Sequence, residues 1–242
     1  MLKQIDNPDD PQLAEVHTLL AETLADPNTV LGLDRLREFL AVNRPGAARQ
    51  FYVLVSTGAT EKIVGATVFS YVVASNCGFS EYIVTSRDVR GSGVGRQLVD
   101  GRAALLDTAA REHGLGKTCR GIFIEVDNPD RTPADLLAQE RETALDARER
   151  WRIFDHLGFR RLDLAYVQPP LGDGKTAVDY MDLMFLAWDE AAHHAGRIPA
   201  AWILDTLQVI WSSWAPRTWV RPHAILKTQL GTAEVALLPL FG

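Results

Sequence analysis

The chain has 242 residues, 47% of them hydrophobic, which is enough to bury a sizeable core in one large domain or in one domain with an appendage. A formal charge of −6 and a pI near 5.5 argue against a charge-driven grip on nucleic acid or an anionic membrane, since both partners require clustered Lys and Arg. With only two cysteines, Cys77 and Cys119, and no apolar leader run in MLKQIDNPDD, the expectation is a cytoplasmic protein with reduced thiols.

Taken in chain order, residues 2–6 read as a short strand. Asp9 or Asp10 is placed to cap a helix from Pro11 to about Leu24, and a second helix covers Asp34 to Val42 before Pro45. Three runs rich in Val, Ile, Phe and Tyr follow, Phe51 to Val55, Ile63 to Val73 and Phe79 to Thr85, and their short polar connectors predict an antiparallel meander. From Gly93 the apolar period becomes helical and runs to Gly114. A strand over Gly121 to Val126 follows. The polar stretch Pro133 to His156 reads as one or two helices, and two strands, Phe159 to Val167 and Tyr180 to Trp188, flank a Pro/Gly-rich loop. This order predicts an α+β fold with a mixed sheet over residues 1–188, followed by a Trp-rich extension over 189–242.

One segment concentrates backbone amides at a helix start. Arg90-Gly-Ser-Gly-Val-Gly95 follows a strand and opens a helix, where unpaired N–H groups and the positive end of the helix dipole make an anion site. The spelling lacks the Gly-Lys-Ser/Thr of a Walker loop, and Arg96 stands where the dinucleotide fingerprint has its last glycine. The stretch Ile83 to Gly95 resembles the acyl-CoA-binding motif of the GNAT superfamily of N-acetyltransferases, Arg/Gln-x-x-Gly-x-Gly/Ala after a strand. Ile153-Phe-Asp-His-Leu-Gly-Phe159 is similar to that family's second motif, and the order of elements agrees.

The resemblance implies a GNAT fold, acetyl-CoA as the acyl donor, and direct attack of an acceptor amine on the thioester. Ile83, Val84 and Thr85 would pair with pantetheine as a strand does. The amides of Arg90, Gly91, Ser92, Gly93, Val94, Gly95 and Arg96 would cradle the pyrophosphate, and Phe154 would lie beside the cofactor. Glu81 is the first choice of general base, because period-2 alternation puts it on the face of Ile83 and Thr85; Glu125 and Asp127 are alternatives, or bind a cationic acceptor. The family's usual tyrosine acid is Phe154 here, which has no proton to give, and an asparagine common in the second motif is Ala147. That leaves water, Tyr166 or Tyr82 to protonate the leaving thiolate, or a domain that holds acyl-CoA without turnover.

The remaining candidates point to structure. The six histidines show no metal-ligand spacing, no Cys-x-x-Cys occurs, and no Gly-x-Ser-x-Gly elbow is present, so no metal is expected. Ile203, Leu207, Ile210 and Trp214 form a helical stripe suited to a core, to a homodimer interface or to a lid over the acceptor. The expected partner is a small-molecule amine, with acetylation of a protein amine as the alternative.

Overall fold

Alternating β-branched and aromatic residues build three long antiparallel strands, β2 (Arg49–Thr57), β3 (Ile63–Val72) and β4 (Cys77–Thr85), as the polar connectors predict. The computed structural model describes residues 1–44, 46–58, 61–143, 145–214, 220–231 and 234–241. It places β1 (Leu2–Ile5) outside β2. Beyond β4 come β5 (Gly121–Asp127), β7 (Met181–Ala187), β6 (Arg160–Leu162), β9 (Glu234–Leu238) and β8 (Arg197–Pro199), in that spatial order. All neighbours run antiparallel except β4 and β5, which are parallel.

Local chemistry sets the helix starts. Asp10 Oδ1 accepts from the Gln12 N–H at 2.9 Å, ahead of α1 (Gln12–Thr23), and α2 (Leu33–Ala41) follows. The long helix α3 (Val94–Glu112) begins at Gly93, whose left-handed backbone (φ 88°) turns the chain into it. The Pro133–His156 stretch is two helices, α4 (Ala134–Thr143) and α5 (Ala147–His156), the second started by Asp146, which accepts from Arg148 N at 3.0 Å. The extension holds α6 (Glu190–Ala195), α7 (Ala200–Trp214) and α8 (Val220–Leu230).

The helices divide the core between the two sheet faces. Leu13 and Leu20 of α1, Leu36 and Phe39 of α2, and Ile203, Leu207, Ile210 and Trp214 of α7 are buried with Val53, Val68, Phe79 and Phe123 on one face. Leu98 and Leu106 of α3, with Trp151 and Phe154 of α5, are buried with Phe69, Ile122 and Ile124 on the other. Thus the tryptophan stripe is core: Trp214 packs edge-on to Phe79 with centroids 5.6 Å apart. The strand expected over Phe159 to Val167 is shorter, because the ladder stops at Leu162 and the chain swings inward to bury Tyr166 and Gln168, while β9 pairs with β6 at Arg161 and Leu162.

The start of α3 lies close against β3 because position 65 is glycine. A Cβ there would sit 2.8 Å from Val94 Cγ1, 3.1 Å from Leu98 Cδ1 and 3.2 Å from the Val84 carbonyl oxygen. We therefore expect Gly65→Val to push the helix start off the sheet and cost about 1–3 kcal/mol, read as a lowered urea midpoint. A midpoint equal to wild type would show that the helix start accommodates the side chain freely.

Candidate active site

The site begins with a strand that leaves its neighbour. β4 pairs with β5 at Gly78, Phe79 and Ser80, opposite Ile122, Phe123 and Ile124, and the pairing ends there. Ser80 faces Phe69 on β3 and Tyr82 faces Val68, so Glu81 is one residue too many and β4 bulges. A bulge bends and twists its strand, which here opens a cleft of about 80 Å³ between the ends of β4 and β5. Glu81, Ile83 and Val84 form one wall, Glu125 and Asp127 the other, and Arg150 and Phe154 reach in from α5.

The bulge overturns the face expected for Glu81. Ile83 packs toward the α3 side of the sheet, whereas Glu81 turns to the opposite side among the residues that pack with α2 and α7. There Glu81 Oε1 accepts from Arg49 Nη2 at 2.9 Å and from Ser70 Oγ at 2.6 Å, with 1% of the side chain exposed. Arg49 itself lies over the Phe39 ring, 4.1 Å from its centroid, and donates to Ser213 Oγ at 2.6 Å. Burial raises the Glu81 pKa while Arg49 and Ser70 oppose the rise. A carboxylate shared by a guanidinium and a hydroxyl is anchored through one oxygen, while its Oε2 is buried without a partner among the described residues.

Glu125 is held differently. Its Oε1 accepts from the Tyr166 hydroxyl and its Oε2 from Gln168 Nε2 at 2.6 Å, and no cation pairs with it among the described residues. Burial pushes its pKa up to about 7, with the two hydrogen bonds pulling it down and the charges of Glu81 and Asp127 adding to the rise. Tyr166 leans on Trp211 of α7, ring centroids 6.0 Å apart, so the extension backs this carboxylate. Tyr82, the other tyrosine considered as an acid, is committed elsewhere: its hydroxyl accepts from Leu31 N at 2.8 Å and donates to the Thr29 carbonyl at 2.9 Å.

Asp127 stands two residues farther along the same face of β5. Arg150 reaches its Oδ2 at 3.4 Å with Nη1 and Glu140 Oε1 at 2.5 Å with Nη2. Phe154 stands one turn beyond Arg150 and stacks edge-on against Phe159, centroids 5.3 Å apart. These partners escaped sequence reasoning because Glu140 and Arg150 sit in a charged stretch that reads as a solvated helix face.

The glycine loop has the form of an anion cradle. Gly91 and Gly93 are both left-handed (φ 76° and 88°), and a Cβ at either would meet nothing within 4 Å, so the space above the loop is open. Gln97 N donates to Gly93 O, which leaves the preceding N–H groups of Val94, Gly95 and Arg96 ahead of the first helical acceptor. Ser92 Oγ is turned back onto the Val89 carbonyl at 2.6 Å, and Arg96 binds Asp100 at 3.0 Å. These residues fit a pyrophosphate approached by backbone amides, with Thr85 beside Gly95 at the strand end. Among the described residues no group of three His, Cys, Asp or Glu side chains could hold a metal ion, and no helix is long and apolar enough to cross a membrane.

Comparison with known proteins bears on the family and the fold. Residues 13–139 match the model of the acetyltransferase (GNAT) family, more than half of the chain. A GNAT-family protein of Bacteroides thetaiotaomicron is 19% identical, with a TM-score of 0.52, covering 81% of this chain and 94% of its own. The ribosomal-protein-S18-alanine N-acetyltransferase of Escherichia coli is 16% identical (TM-score 0.42; 77% and 94% covered). The spermidine N-acetyltransferase of Vibrio cholerae, solved with CoA and spermine, is 12% identical (TM-score 0.47; 77% and 94% covered). No curated protein matched the sequence.

The Arg49–Glu81 pair carries its own test. Arg49→Met leaves Glu81 buried and uncompensated and should cost about 3–5 kcal/mol, whereas Arg49→Met combined with Glu81→Gln should recover much of that loss. Urea unfolding of both variants checks it, and losses that simply add would show that the two side chains do not act as a unit.

Proposed function

Because the chain belongs to the GNAT acetyltransferase family, we propose that it transfers an acetyl group from acetyl-CoA to the amine of a small-molecule acceptor, by direct attack in a ternary complex, with Glu125 as the general base. The observation that carries this reading is the state of Glu125: a carboxylate on the cleft wall, without a cation partner among the described residues, poised near neutrality. Acetyl-CoA supplies an activated acyl carbon when bound, as the family and its anion loop imply.

Every other part of the step falls to this chain's residues. The amides of Val94, Gly95 and Arg96 receive the pyrophosphate, because those of Arg90 and Ser92, also expected there, already donate to the Arg87 and Val89 carbonyls. The strand edge from Ile83 to Thr85, released by the bulge, offers its backbone to pantetheine. Ionised Glu125 takes the proton from the attacking amine, and Tyr166 and Gln168 hold both of its oxygens so that the carboxylate keeps one orientation. Glu81, first in line by sequence, becomes the anchor of the bulge.

The acceptor end supports a small molecule. Segment 26–31 and the loop before β7 are strapped together by Tyr180 Oη on Asp26 Oδ2 at 2.5 Å and Lys175 Nζ on the Val30 carbonyl at 2.8 Å, and Leu24, Thr29 and Met181 line the cleft beneath them. A strapped entrance suits a narrow amine better than a folded protein surface. A second reading, a domain that holds acyl-CoA without turnover, is favoured by Phe154 alone, since its ring faces the cleft without a proton to give.

Incubation of the protein with acetyl-CoA and a panel of amines, following free thiol, separates the two readings. Sustained thiol release is expected with at least one amine, and tight CoA binding without release would support the holding domain. The pH dependence has a defined sign: a base raised to about 7 must be ionised, so kcat/KM rises through pH 7 and levels off above it, beneath any limb belonging to the amine itself. Glu125→Gln should lose that limb and about two to four orders of magnitude in rate while CoA affinity by calorimetry stays within a factor of three or so. A limb that persists in Glu125→Gln removes Glu125 as the base. In the same titration Gly93→Asp should weaken CoA binding by about tenfold or more, by placing a charge where phosphate approaches, and undiminished affinity would move the pyrophosphate elsewhere.

A further inference from the structure

Next to the proposed base the cleft wall holds more negative charge than its one cation neutralises. Arg150 spans two buried carboxylates, Asp127 and Glu140, using one nitrogen for each. Each carboxylate keeps a second oxygen, Asp127 Oδ1 and Glu140 Oε2, that is buried and meets no donor. Glu140 is only 4% exposed at the side chain, and Asp127 lies on the cleft itself. An orphaned carboxylate oxygen in the interior is costly to desolvate, and two acids with a single guanidinium leave one charge uncompensated. The inexpensive remedy is a proton.

We infer that Asp127 and Glu140 share one proton at neutral pH and that this pair, at the cleft wall, is the proton donor to the departing sulfur. Two buried carboxylates held by one guanidinium disfavour a second negative charge, so the pair resists losing its last proton. The direction found for Asp127 agrees: burial raises its pKa, Arg150 opposes, and adjacent Glu140 and Asp26 raise it further. The charged and titratable groups facing the pair are Arg150 from α5, Asp26 ahead of α2, Tyr180 before β7 and Glu125 on the same strand. Arg150 is the positioning residue. It orients one oxygen of each acid and leaves the other pair of oxygens to hold the proton.

The inference rests on the acyl transfer proposed above, and the step balances. The amine nitrogen forms a bond to the acyl carbon and the carbon–sulfur bond breaks, with its electron pair leaving on sulfur. Glu125 takes one proton from nitrogen, and the O–H bond of the Asp127–Glu140 pair breaks to give one to sulfur, so the products are an amide and a thiol. Glu125 and Asp127 stand two residues apart on one face of β5, about 7 Å, and the proton returns from the first to the second through solvent at the mouth of the cleft. Phe154, one turn past Arg150, has no hydroxyl for this task.

Two readouts test it. First, carboxyl carbons labelled with ¹³C in aspartate and glutamate are titrated in the intact protein without ligands. One carboxyl proton shared by Asp127 and Glu140 is expected to persist at pH 7 and to vanish in Glu140→Gln and Asp127→Asn. Both carboxyls fully ionised at pH 7 overturn the pair, as does loss of the proton on adding a diamine, which would mark the site as an ammonium subsite. Second, in single turnover with acetyl-CoA, Glu140→Gln and Asp127→Asn should slow kcat by about 10²-fold at little change in KM for acetyl-CoA, with product sulfur appearing first as thiolate by its ultraviolet absorbance. Wild-type rate and pH profile in both variants overturn the donor role. Unchanged CoA affinity shows that the variants are folded, and Glu140→Asp, which restores a second acid, should regain part of the rate. A wild-type protein that turns over no amine fails the proposed function and the donor role together, while the titration still decides the shared proton on its own.

Discussion

Everything at this site depends on β4 losing β5 after three residues. Parallel pairing ends at Ser80 because Glu81 is inserted as a bulge, and what an ordinary sheet would spend on a ladder becomes a row of free backbone groups facing a cleft. A bulge of this kind needs an anchor, since the extra residue has no partner to hold it. Glu81 supplies one by burying its carboxylate against Arg49 and Ser70, and Arg49 in turn is held between the rings of Phe39 and Phe51. The acid that sequence alternation nominates for catalysis is thereby tied into the bulge through Arg49 and Ser70.

The same divergence gives the two carboxylates of β5 different surroundings. On β5, Phe123, Glu125 and Asp127 share a face; Phe123 is still inside the paired region, and the other two project past it. The two acids then meet different company. Glu125 receives neutral donors, a tyrosine hydroxyl and an amide, so its charge is tolerated without being neutralised; Asp127 receives half of a guanidinium and a second acid behind it. Environments that push neighbouring acids toward different protonation states are what the proposed acyl transfer requires of a wall that takes a proton at one residue and releases one at the next. The extension past residue 188 participates, because α7 supplies Trp211 behind Tyr166 and Trp214 against Phe79.

Much of this architecture was legible in the sequence, and the illegible part has a common cause. Strand and helix periods located β2 to β5 and α1 to α3 within a few residues, since each buries a face with a regular apolar stripe. The glycine loop was legible because positive φ at Gly91 and Gly93 leaves a spelling that other residues would not adopt. Alternation failed at Glu81, where one inserted residue shifts every later side chain by a face, a change that leaves no mark in composition. It failed again after Leu162, where an apolar and aromatic run that looks like a strand is turned inward to deliver Tyr166 and Gln168 to a buried charge. The Glu140–Arg150 contact joins two helices, and the charges on each look like solvated surface until the helices are packed together.

A buried arginine shows the same principle from the other side of the sheet. Arg102, on α3, is wholly buried, donates from Nη1 to Ser80 Oγ at 2.8 Å, and has Nε and Nη2 without an acceptor. Burial lowers its pKa to about 10, while the charge of Glu81 favours its ionised form. Ser80 is the last residue of β4 that pairs with β5, so this guanidinium and Arg49 place positive charge on opposite sides of the bulge, with Glu81 between them. Burial raises the Glu81 pKa and Arg49 opposes the rise. After burial, the charge of Glu81 in its ionised form is among the influences that lift Glu125 toward neutrality. The bulge therefore does two things with one residue: it opens the strand edge, and it sets an acid whose ionised form biases the neighbouring carboxylate to hold its proton. An isosteric neutral residue at position 81 would keep the shape of the opening while letting the Glu125 pKa fall, which separates the geometric role of the bulge from its electrostatic one.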